Sequence, residues 1–382
     1  MPRSGADGTV RAMPSSNPGT RSAEPAETEP STRPAGAEDG FLRDIWYFAL
    51  PSSDLRPGRM LARMLLGEPM LLGRAADGSV FALRDICPHR GIPLSDGRFD
   101  GCEVECCYHG WRFAPDGRCT AVPSLTADQA TDVGRIRVRS YPTVARHGGI
   151  WIYMRSDPRS TAEPAVPPPE LPAVTARPPG LVQRMTFPCH IDHAVIGLMD
   201  PAHGPFVHTS WWWRSRKSIH EKAKRFGPSD LGFAMLRHQP SSNSAAYKLL
   251  GGTPTTEIRF RLPGIRIEDI EIGRHRVCGL TAVTPVDATT TEIHHLIFWT
   301  IPWLSLLKPL LAPFARRFLA QDRDVVVRQQ RGLAHNPTLL LINDADVQAK
   351  WYYRLKKAYA AWRSDGAPFE NPVRETTLRW RS

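Results

Sequence analysis

Hydrophobic and polar positions follow two different rhythms along this chain. A continuous apolar and aromatic pattern begins at Phe41-Leu-Arg-Asp-Ile-Trp-Tyr-Phe-Ala-Leu50. From Leu61 to Met154, short apolar runs are broken by Asp-Gly pairs at 77–78, 96–97, 100–101 and 116–117. Such runs between turn dipeptides predict short strands and a small β-domain. Val80–Leu83, Gly149–Tyr153 and the alternating Ile136–Val138 are its clearest candidates. Residues 158–180 hold eight prolines and read as a semi-rigid linker or a surface wrap at a domain boundary.

Beyond Leu181 the runs lengthen. Ile191–Phe206 has helical features around a glycine. Leu231–Leu236, Tyr247–Leu250, Thr256–Leu262, Ile265–Ile272, Val277–Val283 and Glu292–Thr300 read as successive strands. Thr256-Glu-Ile-Arg-Phe-Arg-Leu262 alternates polar and apolar residues, as a half-buried antiparallel strand does. Leu306–Gln330 and Ala345–Trp362 follow as two long helices. The expected second domain is therefore α+β, an antiparallel sheet with flanking helices. The predicted layout is a disordered tail (1–40), a β-domain (41–157), a Pro-rich linker (158–180), a catalytic domain (181–365) and a C-terminal tail (366–382).

Composition refines this layout. A chain of 382 residues accommodates two domains and a real core without disulfide staples. Residues 1–40 lack the apolar stretch of a secretory signal, and their acidic residues argue against a transit peptide, so a cytoplasmic protein is expected. Leu296–Phe314 is the most apolar stretch, but Lys308 and Pro302, Pro309 and Pro313 interrupt it. It reads as buried or interfacial helix pieces rather than a membrane span. The net charge of +11 hides an acidic tail: residues 1–40 carry four arginines and six acids, leaving about +13 on the rest. Arg214, Arg216, Lys217, Lys222, Lys224 and Arg225 are the densest basic run. It reads first as a solvated face, then as a docking site for an acidic partner. Trp211-Trp212-Trp213 beside it could stack on single-stranded nucleic acid, but reads better as pocket and core wall; no nucleic-acid partner is expected.

Five of the seven cysteines crowd between 87 and 119, interleaved with histidines. In a cytosolic context this suggests a metal site rather than disulfides. Cys87-Pro-His89 and Cys106-Cys-Tyr-His109 each place a Cys and a His on one loop. Two thiolates and two imidazoles suit tetrahedral zinc or a [2Fe–2S] cluster with both Cys on one iron and both His on the other. A zinc finger supplies its Cys and His in separate pairs. Here each loop supplies one of each, which favours the binuclear cluster. A second set, Asp200-Pro-Ala-His203-Gly-Pro-Phe-Val-His208, offers two imidazoles separated by a helix-breaking Gly-Pro. Two His and one carboxylate form a facial triad that leaves positions on iron open to dioxygen.

These motifs resemble those of the Rieske non-haem iron ring-hydroxylating oxygenases, over about residues 41–362. The resemblance is to their terminal oxygenase α subunit, closer to the α-only monooxygenase and demethylase branch. It implies a Rieske [2Fe–2S] cluster on Cys87, His89, Cys106 and His109, and a mononuclear Fe(II) on His203, His208 and a distant Asp. Gln321-Asp322 matches the family's motif for that Asp, with Asp324 as rival. It implies a helix-grip (START-like) catalytic domain and a homotrimer in which Asp200 carries electrons between subunits, from His109 of a neighbour to His203. It further implies O₂, a separate reductase or ferredoxin, and a hydrophobic substrate that is aromatic or polycyclic. One departure stands out: the family's Asn, three or four residues before the bridging Asp, is here Gly197 or Ile196, with Asp192 or His193 as candidate substitutes. A cis-dihydroxylating dioxygenase subunit, a non-catalytic Rieske electron carrier and a hydrophobic-ligand binding protein are the alternatives.

Overall fold

A computed structural model of the protein describes residues 40–129, 131–208, 219–240, 253–366 and 368–382. The expected Tyr247–Leu250 strand and the Trp211–Trp213 run lie outside the described residues.

The N-terminal module is built from three small antiparallel sheets. The first joins β1 (Ile45–Pro51) to two strands that close the module, β10 (Thr143–Arg146) and β11 (Gly149–Met154). Every residue of β1 and β11 is buried, as befits a strand pair covered on both faces. The second sheet holds β2 (Arg59–Leu65), β3 (Glu68–Arg74), β4 (Val80–Arg84) and β9 (Ser140–Tyr141). The third holds β5 (Arg98–Phe99), β6 (Val104–Glu105), β7 (Arg112–Phe113) and β8 (Cys119–Ala121). Ile136–Val138, expected as strand, contributes a single bridge from Arg137 to Arg118.

The C-terminal module is one eight-stranded antiparallel sheet in the order β12-β18-β17-β16-β15-β14-β13-β19. Its strands are β12 (Leu181–Phe187), β13 (Glu221–Ser229), β14 (Gly232–His238), β15 (Thr255–Arg261), β16 (Ile265–Ile272), β17 (His275–Pro285), β18 (Thr291–Trp299) and β19 (Thr376–Arg381). Among the described residues, four helices accompany it: α1 (Ile191–Met199), α2 (Gly204–Val207), α3 (Lys308–Leu333) and α4 (Val347–Asp365). A 3₁₀ segment, Pro302–Leu307, leads into α3. No described helix is long and apolar enough to cross a membrane.

One expectation changes, and one alternative is decided. Residues 366–382, expected as a tail, supply β19, which pairs with β13 from Glu221↔Arg381 to Phe226↔Thr376. Leu378 and Trp380 are buried while Arg379 and Arg381 face outward, so the six-residue strand has a core side. Residues 158–180 wrap the protein rather than bridge a gap. Val166, Leu171 and Val174 are buried, and the Trp46 indole N–H donates to Val166 O at 2.8 Å.

The two modules share a core. One face of the large sheet (Cys278, Leu280, Ala282, Leu296 and Phe298) is fully buried. Against that face lie Phe48, 4.9 Å from the His294 ring, and a hydrogen bond from Thr284 Oγ1 to Phe48 O of 2.7 Å. Phe298 belongs to this core, close to Gly148. Arg63 on β2 pairs with Glu292 on β18, tying the modules together. The helices occupy the opposite face of the sheet. Trp351 on α4 lies 5.2 Å from Phe233, and Arg323 on α3 donates to Thr186 O on β12.

Candidate metal centres

The first candidate centre rests on two loops built alike. Each begins with a buried cysteine, Cys87 or Cys106. Each turns back through a glycine, Gly91 or Gly110, whose N–H donates to that cysteine's carbonyl at 2.9 and 3.0 Å. Both glycines have φ near +70° (76° and 68°), where a side chain would be strained. The Cys87 N–H donates to Ile92 O and the Cys106 N–H to Trp111 O, closing both turns. Asp85 anchors the first loop by accepting from the Ser95 backbone and hydroxyl at 2.7 and 2.6 Å.

The loops bring the four predicted residues to one end of the module. The His89 and His109 rings lie 4.5 Å apart, and His89 stacks on Trp111 at 4.5 Å. His109 and Tyr108 are exposed, whereas both cysteines are inside. Burial pushes the Cys87 thiol up, and the adjacent Cys106 thiol raises it further. Two buried thiols in contact cannot both ionise without a cation between them. The Trp111 indole N–H is buried without an acceptor among the described residues. Two thiols inside, two imidazoles at the rim and a spare donor beside them fit a [2Fe–2S] cluster.

The second candidate centre forms where α1 ends. Its C-cap is Asp200, whose N–H donates to Ile196 O. Asp200 Oδ1 then accepts from the Ala202 N–H at 2.7 Å, turning the chain into α2. This turn puts His203 and His208 at the two ends of α2, with Gly204 and Pro205 between them. Their Nε2 atoms lie 3.1 Å apart. Asp322 Oδ1, from the middle of α3, lies 3.2 Å from His208 Nε2 and 3.7 Å from His203 Nε2. These are the three residues expected as iron ligands. Asp324 lies on the exposed side of α3, outside the group.

Hydrogen bonds fix which ring nitrogen of each histidine is free. His203 Nδ1 is 2.8 Å from the Asp200 carbonyl, which only accepts, so Nδ1 carries the proton. His208 Nδ1 faces Gln321 Oε1 at 3.2 Å, with the same consequence. Both Nε2 lone pairs therefore point at one another and at a carboxylate oxygen. Such an arrangement is repulsive alone and suits a cation at its centre. Donor spacing near 3 Å is about what ~2.1 Å bonds to one ion at right angles require. Phe318 stacks on His208 at 3.6 Å, and His208 is buried.

Gln321 and Phe318 escaped the sequence reading as orienting groups. Gln321 was visible only as the neighbour of Asp322, and its spacing from His208 carries no local signal. The candidate substitutes for the missing Asn resolve differently. Asp192 is taken up by Tyr352 Oη and Lys356 Nζ, both at 2.6 Å. It is part of a buried ion pair, away from the three converging residues. His193 lies on α1 and is not among them either; burial pushes its pKa down. At Gly197 an added Cβ would meet nothing within 4 Å, so the position is open space. The described part of the basic run is engaged within the chain: Lys222 with Ser382, Lys224 with Gln239 O and Arg225 with Glu375.

Gln321→Leu keeps the side chain's bulk and removes the acceptor. It is expected to weaken Co(II) binding at the His-His-Asp site about tenfold to a hundredfold, measured by visible absorption titration. An unchanged affinity would show that Gln321 does not orient His208.

Comparison with known proteins agrees with both modules. Residues 45–142 match the Rieske [2Fe-2S] domain, and residues 188–361 match the vanillate O-demethylase oxygenase C-terminal domain. A chlorophyllide a oxygenase of Oryza sativa subsp. japonica is 28% identical over 86% of this chain and 59% of its own. The oxygenase component of dicamba O-demethylase from Stenotrophomonas maltophilia is 34% identical over 44% of this chain and 48% of its own. The chain thus spans 59% or less of the length of these curated relatives. The crystal structure of dicamba monooxygenase bound to dicamba shares the fold, with a TM-score of 0.65 at 23% identity, covering 84% of this chain and 99% of that one.

A Cys/His loop pair on a small β-module is thus joined to a large antiparallel sheet bearing a His-His-Asp group. The chain belongs to the Rieske non-haem iron oxygenases, with the cluster domain first and the oxygenase domain after it. That family carries one Rieske [2Fe–2S] cluster and one mononuclear non-haem iron.

Proposed function

We propose that the chain is the terminal oxygenase of a Rieske system, taking electrons from a separate reductase or ferredoxin and using O₂ to hydroxylate or oxidatively demethylate a hydrophobic substrate. The observation that carries this reading is the convergence of His203, His208 and Asp322, which a mere electron carrier or ligand carrier does not need. When bound, the cluster supplies single electrons and the mononuclear iron supplies O₂ activation. Cys87, Cys106, His89 and His109 would hold the first; His203, His208 and Asp322 would hold the second.

The chain's own residues set up the rest. The Asp200 carbonyl and Gln321 keep the Nδ1 protons away from the iron side of both rings. Phe318 covers one face of His208 and limits water there. The exposed His109 and Tyr108 form a contact surface through which a neighbouring subunit could be reached. Asp200 remains partly exposed and lies 3.7 Å from His203 Nδ1. In a homotrimer these features would meet, with Asp200 joining His109 of one copy to His203 of the next.

The test is iron analysis followed by turnover. The purified protein should hold about three irons per chain, two in the cluster and one mononuclear. With a reconstituted reductase it should convert members of an aromatic, polycyclic and sterol panel to products one oxygen heavier or one methyl lighter. About two irons and no O₂ consumption with any substrate would mark an electron carrier.

A further inference from the structure

The helix side of the large sheet carries polar groups that neither centre uses. Cross-strand partners share a face, so the register arranges them in rows. Arg266, Thr281, His295 and Gln183 form one row across β16, β17, β18 and β12. Glu268, Gly279, Ile297 and Leu181 form the next. Most of these residues are only half-buried, although β16, β17 and β18 are interior strands of the sheet. The opposite face of β17 and β18 is buried at Cys278, Leu280, Ala282, Leu296 and Phe298. On the helix side these strands therefore keep a partly accessible polar wall.

The elements around that wall are the ones that carry the His-His-Asp group. Two residues along β17 from Thr281, Val283 lies with Val195 of α1 against Gly264. That helix leads directly to Asp200 and His203. Along the edge strand β12 runs α3, which bears Asp322. On the other flank, Phe260 (the partner of Arg266) packs on Tyr352 of α4.

The groups on the wall are linked and balanced. Arg266 Nη1 donates to Glu268 Oε2 at 3.1 Å. Thr281 Oγ1 and His295 Nδ1 are 2.8 Å apart. Burial, then the nearby Arg266, pushes His295 down to about 4, so the ring is neutral at pH 7. Gly279 leaves the floor between Glu268 and His295 open; an added Cβ would reach both at 3.8 and 3.7 Å. The cluster thus offers a fixed donor, a fixed acceptor and no net charge.

We infer that Arg266, Glu268, Thr281 and His295 form the polar end of the substrate cavity and select an uncharged substrate bearing a group that both donates and accepts, such as a carboxamide or hydroxyl. This rests on the oxygenase reading for the identity of the cavity. A carboxylate would meet Arg266 only by confronting Glu268, and an ammonium the reverse.

The experiment is anaerobic binding of matched probes to the iron-loaded protein by calorimetry: benzamide, 2-naphthamide and a steroid carboxamide, each against its carboxylate. Each bound pair should favour the amide by about tenfold or more. Glu268→Gln frees Arg266 and should reverse or erase that preference. The double variant Arg266→Gln/Glu268→Gln should hold amide and acid within about threefold. Preference for the carboxylates in the unaltered protein, no change of ratio in Glu268→Gln, or no binding by any pair overturns the inference. About three irons with turnover but no amide preference would sink the subsite and spare the oxygenase reading. About two irons with the preference intact would do the reverse.

Discussion

Asp200→Asn is expected to leave both metals bound and the fold intact, yet to slow reoxidation of the reduced cluster by about a hundredfold or more. The substitution keeps shape and size. The amide oxygen can still accept from the Ala202 N–H, which holds the turn between α1 and α2. The His203 ring stays oriented because its Nδ1 proton goes to the Asp200 backbone carbonyl, which the substitution does not touch. What disappears is the charge. Burial pushes the Asp200 carboxyl up from its ordinary range, and the nearby Asp346 adds to the push. A carboxylate 3.7 Å from the His203 ring suits the proposed link between redox centres. Stopped-flow absorption of the cluster after mixing with O₂ and substrate measures the rate. A normal rate with full iron content would remove Asp200 from the path.

Asp322→Ala should abolish O₂ use and cut the iron content from about three per chain to about two, leaving the visible spectrum of the cluster unchanged. The two Nε2 atoms would remain 3.1 Å apart with no anion to help neutralise a cation. Two neutral imidazoles hold Fe(II) far more weakly than two imidazoles and a carboxylate. The cluster loops share no residue with this site, so its spectrum serves as an internal control. Retention of about three irons in the variant would mean that another group, such as Asp324, supplies the third bond.

How much of this was legible in the sequence depended on distance along the chain. Cys87 and His89 are two residues apart, and Cys106 and His109 three, so local spacing alone framed the first centre. His203 and His208 announced themselves through the Gly-Pro between them. Asp322 is more than a hundred residues away, and only the family likeness pointed to it. Its arrival depends on α3 crossing β12, a packing that no local pattern encodes. Gln321 was invisible in its orienting role for the same reason. The strand at Thr376–Arg381 was missed because two exposed arginines among six residues read as solvent-facing chain. The proline-rich stretch could not reveal its buried side, because Val166, Leu171 and Val174 are scattered among prolines and polar residues. β16 and β17 read as strands, yet the sequence could not say which face would meet the other module. That left the Arg266 cluster unassigned.

The helix Lys308–Leu333 carries the proposed ligand Asp322, Gln321 against His208 and the stacking Phe318 within one turn and a half. These three contacts are mechanically one part. A small roll or slide of this helix would loosen the anion, the hydrogen bond and the ring stack together, and a return would restore them together. The iron site is thus expected to switch between tight and slack rather than to yield ligand by ligand, so whatever presses on that helix would set how firmly the metal is held.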